Sequence, residues 1–414
     1  MAEAHTASLA ASIPEIARRR TLRVSRAVGF VGMSAALLAF FVAAGAPTPL
    51  LPLYEREWGF APTLLTVAFG VYAFALIGAL LVFGSLSDYV GRRPVLIGAL
   101  ALELVSMIVF LLSPSISWLI VGRVLQGLAT GVASSTFGAA IVELAPESRK
   151  RLGAVMSSLA TTAGLAIGAL LAGLIALAIP TAAATAVWLA LAVVMAAGTL
   201  LAVLIPETST TRPGALGSLI PRVGVPPRVR RLFRMTAPTI VAAFLETALF
   251  LGLLPIILVS VFHVTTPIVG GAANFVMFTA GTLSAGVTGG IPARRLRLFG
   301  NLGIALGIAL FLGALAVGAL ALVWICAAVA GLGMGMAFTG SIRGLVPEVE
   351  PHQRAELFSA IFVVAYLTFG GSAIVAGFVA TAIGVGAMAV GFSVVIVVVA
   401  LLGVGLGVGA RGRG

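Results

Sequence analysis

Residues 84–94 read Gly84-Ser85-Leu86-Ser87-Asp88-Tyr89-Val90-Gly91-Arg92-Arg93-Pro94, and Asp88 is the sole aspartate of the chain. Three charges and two glycines in a short turn between two long apolar runs suit a clamp between helices better than a solvated loop. Gly84 and Gly91 let the chain turn sharply and let helices approach. A basic loop that merely sets topology would explain Arg92 and Arg93 but leaves Asp88 without a role. Arg123 is a second candidate. An arginine inside an apolar run costs at least ~2.5 kcal/mol, so by default it faces the bundle interior. Arg123, Gln126, Gly127, Thr130 and Ser134 recur at i, i+3, i+4, i+7 and i+11, which places them on one helix face. The alternative is an interfacial arginine that snorkels outward. A third candidate is Glu246, the single charge in the apolar run 236–262 and close to its middle. A carboxyl at that depth is expected to be protonated part of the time, or else to stay neutral and hydrogen-bonded between helices. Glu103, inside the run 94–112, poses the same choice.

The elements that position these groups follow from composition. The 414 residues are 60% hydrophobic and 9% charged, with a mean hydropathy of +1.18, which excludes a soluble globular domain. The net charge of +12 is organised: 23 of 25 Lys and Arg fall in seven places that all lie on one side if spans alternate. Arg56 alone lies in an opposite loop. That asymmetry is the positive-inside rule; it points to anionic lipid rather than nucleic acid and puts both termini in the cytoplasm. The one cysteine, Cys326, allows no internal disulfide.

Twelve spans are predicted, at about 27–53, 63–84, 94–112, 117–142, 152–177, 182–205, 236–262, 267–290, 299–318, 321–343, 357–380 and 385–408. Lipid solvates no backbone polar group, so each must be helical. The expected organisation is a cytoplasmic leader at 1–26, disordered over 1–17, a six-helix bundle at 27–205, a cytoplasmic linker at 206–235, a second bundle at 236–408 and a cytoplasmic tail at 409–414. The halves echo each other. Gly286 to Arg295 lies over Gly84 to Arg93 at an offset of 202, with Gly290 in place of Asp88 and Ala293 in place of Gly91. Gly127 and Gly131 correspond to Gly331 and Gly335 at an offset of 204. The fold class is therefore an all-α integral membrane protein of two pseudo-symmetric six-helix bundles.

Gly84 to Arg93 resembles the G-x-L-[SD]-D-x-x-G-R-R signature between helices 2 and 3 of the major facilitator superfamily. The resemblance implies a loop that clasps the two halves on the cytoplasmic side, with Asp88 facing the start of helix 11 near Ala355 to Ser359 and Arg92 reaching Glu143. Arg123 to Gly127 resembles the family's R-x-x-Q-G pattern in helix 4, which implies proton coupling. Gly164, Gly168 and Gly173 resemble the helix 5 pattern of the family's antiporters, with Ala169 and Ala172 departing from it; small residues four apart also serve packing alone. In this fold helices 1, 4, 7 and 10 line the cavity, which implies that Glu246 does too.

Three histidines, none paired on a helix, and a single lysine preceded by Arg149 rather than Gly leave no zinc site and no phosphate-binding loop. An enzyme, a cofactor and a metal are not expected. The expectation is a monomeric secondary transporter, multi-pass in the inner (cytoplasmic) membrane, that exchanges protons for amphipathic drug-like compounds or metabolites. Its partners are small molecules, protons and lipid, with no nucleic acid. Glu246 is to carry the proton, with Arg123 as electrostatic partner. The alternatives are a small organic anion bound through Arg123, or a receptor with the same fold that transports nothing. For topology, a cysteine introduced at Glu55 is expected to react with an impermeant thiol reagent in intact cells and one at Arg212 is not; the reverse pattern sinks the orientation.

Overall fold

The structure, a computed structural model, describes residues 23–409. The expected leader, but for its last four residues, and the tail beyond Gly409 lie outside the described residues. Among the described residues, twelve helices are long and apolar enough to cross a membrane. They are α1 (Arg26–Trp58), α2 (Pro62–Phe83), α3 (Arg92–Leu111), α4 (Ile116–Leu144), α5 (Lys150–Ala178) and α6 (Pro180–Leu204), then α7 (Pro227–Ser260), α8 (Pro267–Val287), α9 (Ala293–Val317), α10 (Leu320–Glu348), α11 (Pro351–Ile383) and α12 (Val385–Gly407). The loops α2–α3, α4–α5, α6–α7, α8–α9 and α10–α11 share the face rich in Lys and Arg, called here the basic face.

Five spans, α1, α7, α9, α10 and α11, run five or more residues beyond an expected bound, and two of them show why. α1 runs to Trp58 rather than 53 because Pro47 opens a fresh helical segment, Pro47–Trp58, where its missing N–H leaves nothing unsatisfied. α7 begins well before 236: Arg230, Arg231 and Arg234, expected in the linker, form its first turns. Further along, α7 widens to a π-turn at Leu249–Leu253, one residue ahead of Pro255.

Lipid tails are as apolar as leucine, so burial alone does not hold helices together here; close backbone contact does. Glycine supplies it. In the first half Gly127 and Gly131 of α4 lie against the Tyr72 and Leu76 carbonyls of α2; in the second, Gly331 and Gly335 of α10 lie against the Met277 and Gly281 carbonyls of α8. The glycines and their partners repeat at almost the same offset, so the sequence echo is one packing device used twice. Gly164 and Gly168 of α5 lie on the backbone of α1 in the same way.

Two seams join the halves. Along α2 and α11, the Thr63 and Thr381 hydroxyls bond at 2.5 Å, Thr66 fills the space beside Gly377, and the rings of Phe69 and Phe369 meet edge to face at 5.1 Å. Along α5 and α8, Gly173 abuts Ile268, Gly271 abuts Ala169, and Thr282 donates to Thr162 at 2.8 Å. These contacts occupy the side away from the basic face and the middle. Toward the basic face Leu283 and Val287 of α8 are 60% and 82% exposed, and among the described residues no side-chain hydrogen bond joins the halves beyond the Thr162–Thr282 pair. The molecule is thus closed on one face and parted on the basic one.

A methyl group at Gly168 would run into the Val42 carbonyl, whereas one at Gly313 of α9 meets nothing within 4 Å. Gly168→Ala is therefore expected to destabilise the protein by roughly 1–3 kcal/mol, and Gly313→Ala to leave it unchanged or to stabilise it by about 0.5–1 kcal/mol. Reversible unfolding in mixed micelles measures both, and equal shifts reject the packing account.

Candidate functional site

The 84–91 segment continues α2 for a turn, forms a short helix at Ser87–Val90, and reverses at Gly91. Gly91 has φ +98°, and a side chain there would strike the Glu207 carboxylate. Gly84 differs from expectation. It sits at φ −58° with its carbonyl accepting from Ser135 of α4 at 2.7 Å, so only Gly91 makes the sharp turn.

Arg92 is the hub of this loop and is largely buried. Its guanidinium pairs with Asp88 one turn earlier, bonds Ser87 Oγ at 2.7 Å, and reaches Glu143 at the end of α4 at 3.1 Å. The remaining oxygen of Glu143 accepts from Thr208 Oγ1 at 2.6 Å. Asp88 makes no hydrogen bond or ion pair with α11 among the described residues. The expected contact near Ala355 to Ser359 is absent because the halves are parted on this face, and the nearer cation takes the carboxylate.

Glu207 carries no role in the expectations above, yet it completes the cluster. Its carboxylate accepts from the backbone N–H groups of Arg92 at 2.8 Å and Arg93 at 3.0 Å, and also from those of Thr208 and Ser209. It caps the first turn of α3, where donors are free and the helix dipole favours negative charge. The linker then passes beneath the loop: Arg212 N–H donates to the Tyr89 carbonyl at 2.8 Å, and Ser85 Oγ to the Ser218 carbonyl at 3.2 Å. Pro206-Glu207-Thr208 immediately after α6, acid amid six arginines, was the available signal.

Arg123 lies within the first half and is 1% exposed; it does not snorkel. Its Nε donates to the Ala68 carbonyl of α2 at 3.2 Å, it bonds Gln126 Oε1, and its guanidinium lies 4.3 Å from the centre of the Tyr72 ring. Gln126 in turn donates to the Ala43 carbonyl of α1 at 3.0 Å and to Glu103 of α3 at 3.2 Å. Thr130 and Ser134 bond back to their own helix, and Thr130 also accepts from the Tyr72 hydroxyl at 3.4 Å. The polar face of α4 therefore knits four helices of one half and presents little to a cavity. Glu103 of α3 is fully buried in this network.

Glu246 is fully buried as well, and neither carboxyl oxygen has a partner. Its pairing with Arg123 is not made, since Arg123 is engaged by Tyr72 and Gln126. Thr239, Ala243 and Phe250 share its face of α7. Thr239 accepts from Asn301 of α9 at 2.9 Å and the Phe250 ring lies 6.0 Å from Phe311 of α9, so this face looks into the second half and not into the gap between halves. Helical phase, not visible in a run of apolar residues, decides this. Gly164 and Gly168 meet α1 while Gly173 meets α8, so packing alone accounts for all three.

The sequence profile described as Major Facilitator Superfamily matches residues 32–373. The inner membrane transport protein YajR of Escherichia coli (strain K12) is 36% identical over 80 residues, 19% of this chain and 18% of that protein. The inner membrane transport protein YnfM of the same organism is 30% identical over 114 residues, 27% of this chain and 26% of that protein. The matched stretches thus span about a quarter or less of these relatives. A solved bacterial homolog to the human lysosomal transporter Spinster, in an inward-facing and unoccupied conformation, superposes with a TM-score of 0.71 at 15% identity, covering 92% of this chain and 97% of that one; this likeness shows the fold.

Because Glu207 satisfies two donors of α3 while the Asp88 side chain is 54% exposed, Glu207→Ala is expected to cost about 1–2 kcal/mol of stability and Asp88→Asn less than about 1 kcal/mol. Thermal unfolding of the purified protein ranks them; the opposite order rejects the capping role.

Proposed function

The chain belongs to the major facilitator superfamily and is a multi-pass membrane transport protein, and we propose that it is a proton-driven exporter of amphipathic or aromatic compounds that works by alternating access. The observation that carries this reading is the asymmetry of the inter-half contacts, tight on one face and parted on the other. The basic face is read as cytoplasmic, from the charge asymmetry of the loops, and the state described is then inward-open. The loop cluster of Asp88, Arg92 and Glu143 acts as the cytoplasmic gate: as the halves close there, Asp88 is free to leave Arg92, already held by Glu143, for the N-terminus of α11. The direction, export, is taken from the resemblance of the helix 5 run to the antiporter pattern and not from its glycines, whose packing already accounts for them. An organic anion held by Arg123 is disfavoured, since that side chain is enclosed and engaged.

Coupling needs a carboxyl that sees each side in turn. No nucleotide-binding loop is present in the sequence, so an ion gradient must drive uphill movement. In the described state a Glu246 carboxylate would stand in an apolar interior without a partner, an expensive arrangement, so the group holds its proton here. The π-turn three residues beyond it supports a role in movement: it is an irregular element at which α7 can rewind and swing Glu246 toward the gap, as π-turns at functional sites allow. A more acidic outer medium then loads the proton and the cytoplasm removes it, and reciprocal coupling ties that cycle to substrate. In proteoliposomes with an imposed pH gradient, Glu246→Gln is expected to abolish accumulation of substrate while downhill exchange persists. Accumulation at the wild-type level by the Gln variant makes Glu246 structural and moves the proton to Glu103 or Glu143.

A further inference from the structure

Along α11, Phe358, Phe362, Tyr366 and Phe369 follow at steps of four, four and three residues and so share one face. The outermost of them faces the other half, since the Phe369 ring meets Phe69 of α2. The same face continues toward the basic side, where the halves are parted, as a ladder of rings: Phe369 to Tyr366 at 6.5 Å, Tyr366 to Phe362 at 6.1 Å and Phe362 to Phe358 at 6.3 Å. Two further rings extend it sideways. Phe244 of α7 meets Tyr366 edge to face at 5.8 Å and Phe338 of α10 at 6.0 Å. All but Phe369 are half-buried rather than enclosed. This face is distinct from the lipid-facing row of α11, where Leu367, Val375 and Phe378 are 47%, 61% and 60% exposed.

The closed end of this wall is also built from rings. Phe69 lies against Gly252 at the π-turn of α7, where an added methyl would come within 2.9 Å of it, and on its other side lies 5.6 Å from the Arg123 guanidinium. The wall thus ends in a roof that touches both halves. Tyr366 stands mid-wall, between Phe362 and Phe369 of α11 and beside Phe244 of α7, and carries the one hydroxyl of the wall. Among the described residues that hydroxyl has no hydrogen-bond partner and is not sealed from solvent. Neither lysine nor arginine belongs to the wall, and Arg123, the cation behind the roof, is already engaged.

We infer that the aromatic wall of α7, α10 and α11 is a binding site for a flat polyaromatic molecule without an anionic group, with the Tyr366 hydroxyl as its hydrogen-bonding anchor. This deepens the transport reading above and rests on it for the role of the site. Rings spaced as these are offer faces and edges to a planar system, and their electron-rich faces attract a cation and repel an anion. An aliphatic chain of the same charge gains the cation's attraction but not the stacking.

The test uses the full-length protein in lipid nanodiscs, with empty discs subtracted, and ethidium as the probe, a flat cation whose amino groups can donate to Tyr366. Fluorescence polarisation is expected to show saturable binding, weakened about tenfold or more by Phe362→Ala or Phe338→Ala and about three- to tenfold by Tyr366→Phe, but unchanged by Leu367→Ala. Dodecyltrimethylammonium is expected to displace ethidium poorly. No binding above empty discs, wild-type affinity in the Phe variants, or equal displacement by the aliphatic cation overturns the inference. Tyr366→Phe removes one oxygen and so guards against misfolding as the cause of a loss. Flux in proteoliposomes keeps the two readings apart: wall-dependent binding without flux rejects transport and leaves the site, while flux of another compound with no wall-dependent binding does the reverse.

Discussion

Every feature of this molecule is conditioned by a solvent that drives helices together only weakly. Water would favour burial of apolar faces; lipid is indifferent to them. Attraction must come from contact so close that dispersion between backbones is gained, and only glycine permits it without displacing a neighbour. The α2–α4 and α8–α10 pairs, the α1–α5 pair and the α5–α8 seam all use glycine against a carbonyl or backbone carbon. On the exposed row of α11, away from such contacts, Leu367, Val375 and Phe378 face outward.

Within that frame, polar groups fall into two sorts. Some are committed to structure: Arg123 and Gln126 bond the carbonyls of α2 and α1, and Gln126 also bonds one oxygen of Glu103, which ties four helices of the first half together. Others have no partner, and Glu246 is the extreme, with both oxygens unsatisfied beside a π-turn. In the proposed cycle one bundle rocks against the other, which asks each to hold together while an irregular element such as the π-turn of α7 rearranges.

The basic-face cluster connects these levels. Arg92 is fixed from three directions, by the loop, by α4 and, through its backbone, by Glu207 of the linker. Asp88, the more exposed of the two acids paired with Arg92, is held by Arg92 alone. As the proposed gate, this cluster would keep its cation in place while its anion remains able to change partner. The linker takes part rather than merely joining the halves, which its composition of prolines and arginines does not reveal.

Hydropathy and the placement of arginine determine the twelve spans and their common basic face, because the energy of moving a residue into lipid depends on its type and hardly on its neighbours. The glycine repeat determines which helix pairs correspond, because close approach is a local requirement. What the sequence could not determine is which way each helix is turned. Glu246, expected in a cavity, lies on the face of α7 whose Thr239 and Phe250 meet α9, and the polar face of α4, expected to line a passage, is consumed by α1, α2 and α3. In lipid an all-apolar helix has almost no hydrophobic asymmetry, so its rotation is set by the backbone contacts and the few polar partners that the assembled bundle supplies. The aromatic wall has the same origin: its rings come from three helices, and only their mutual rotation makes them one surface.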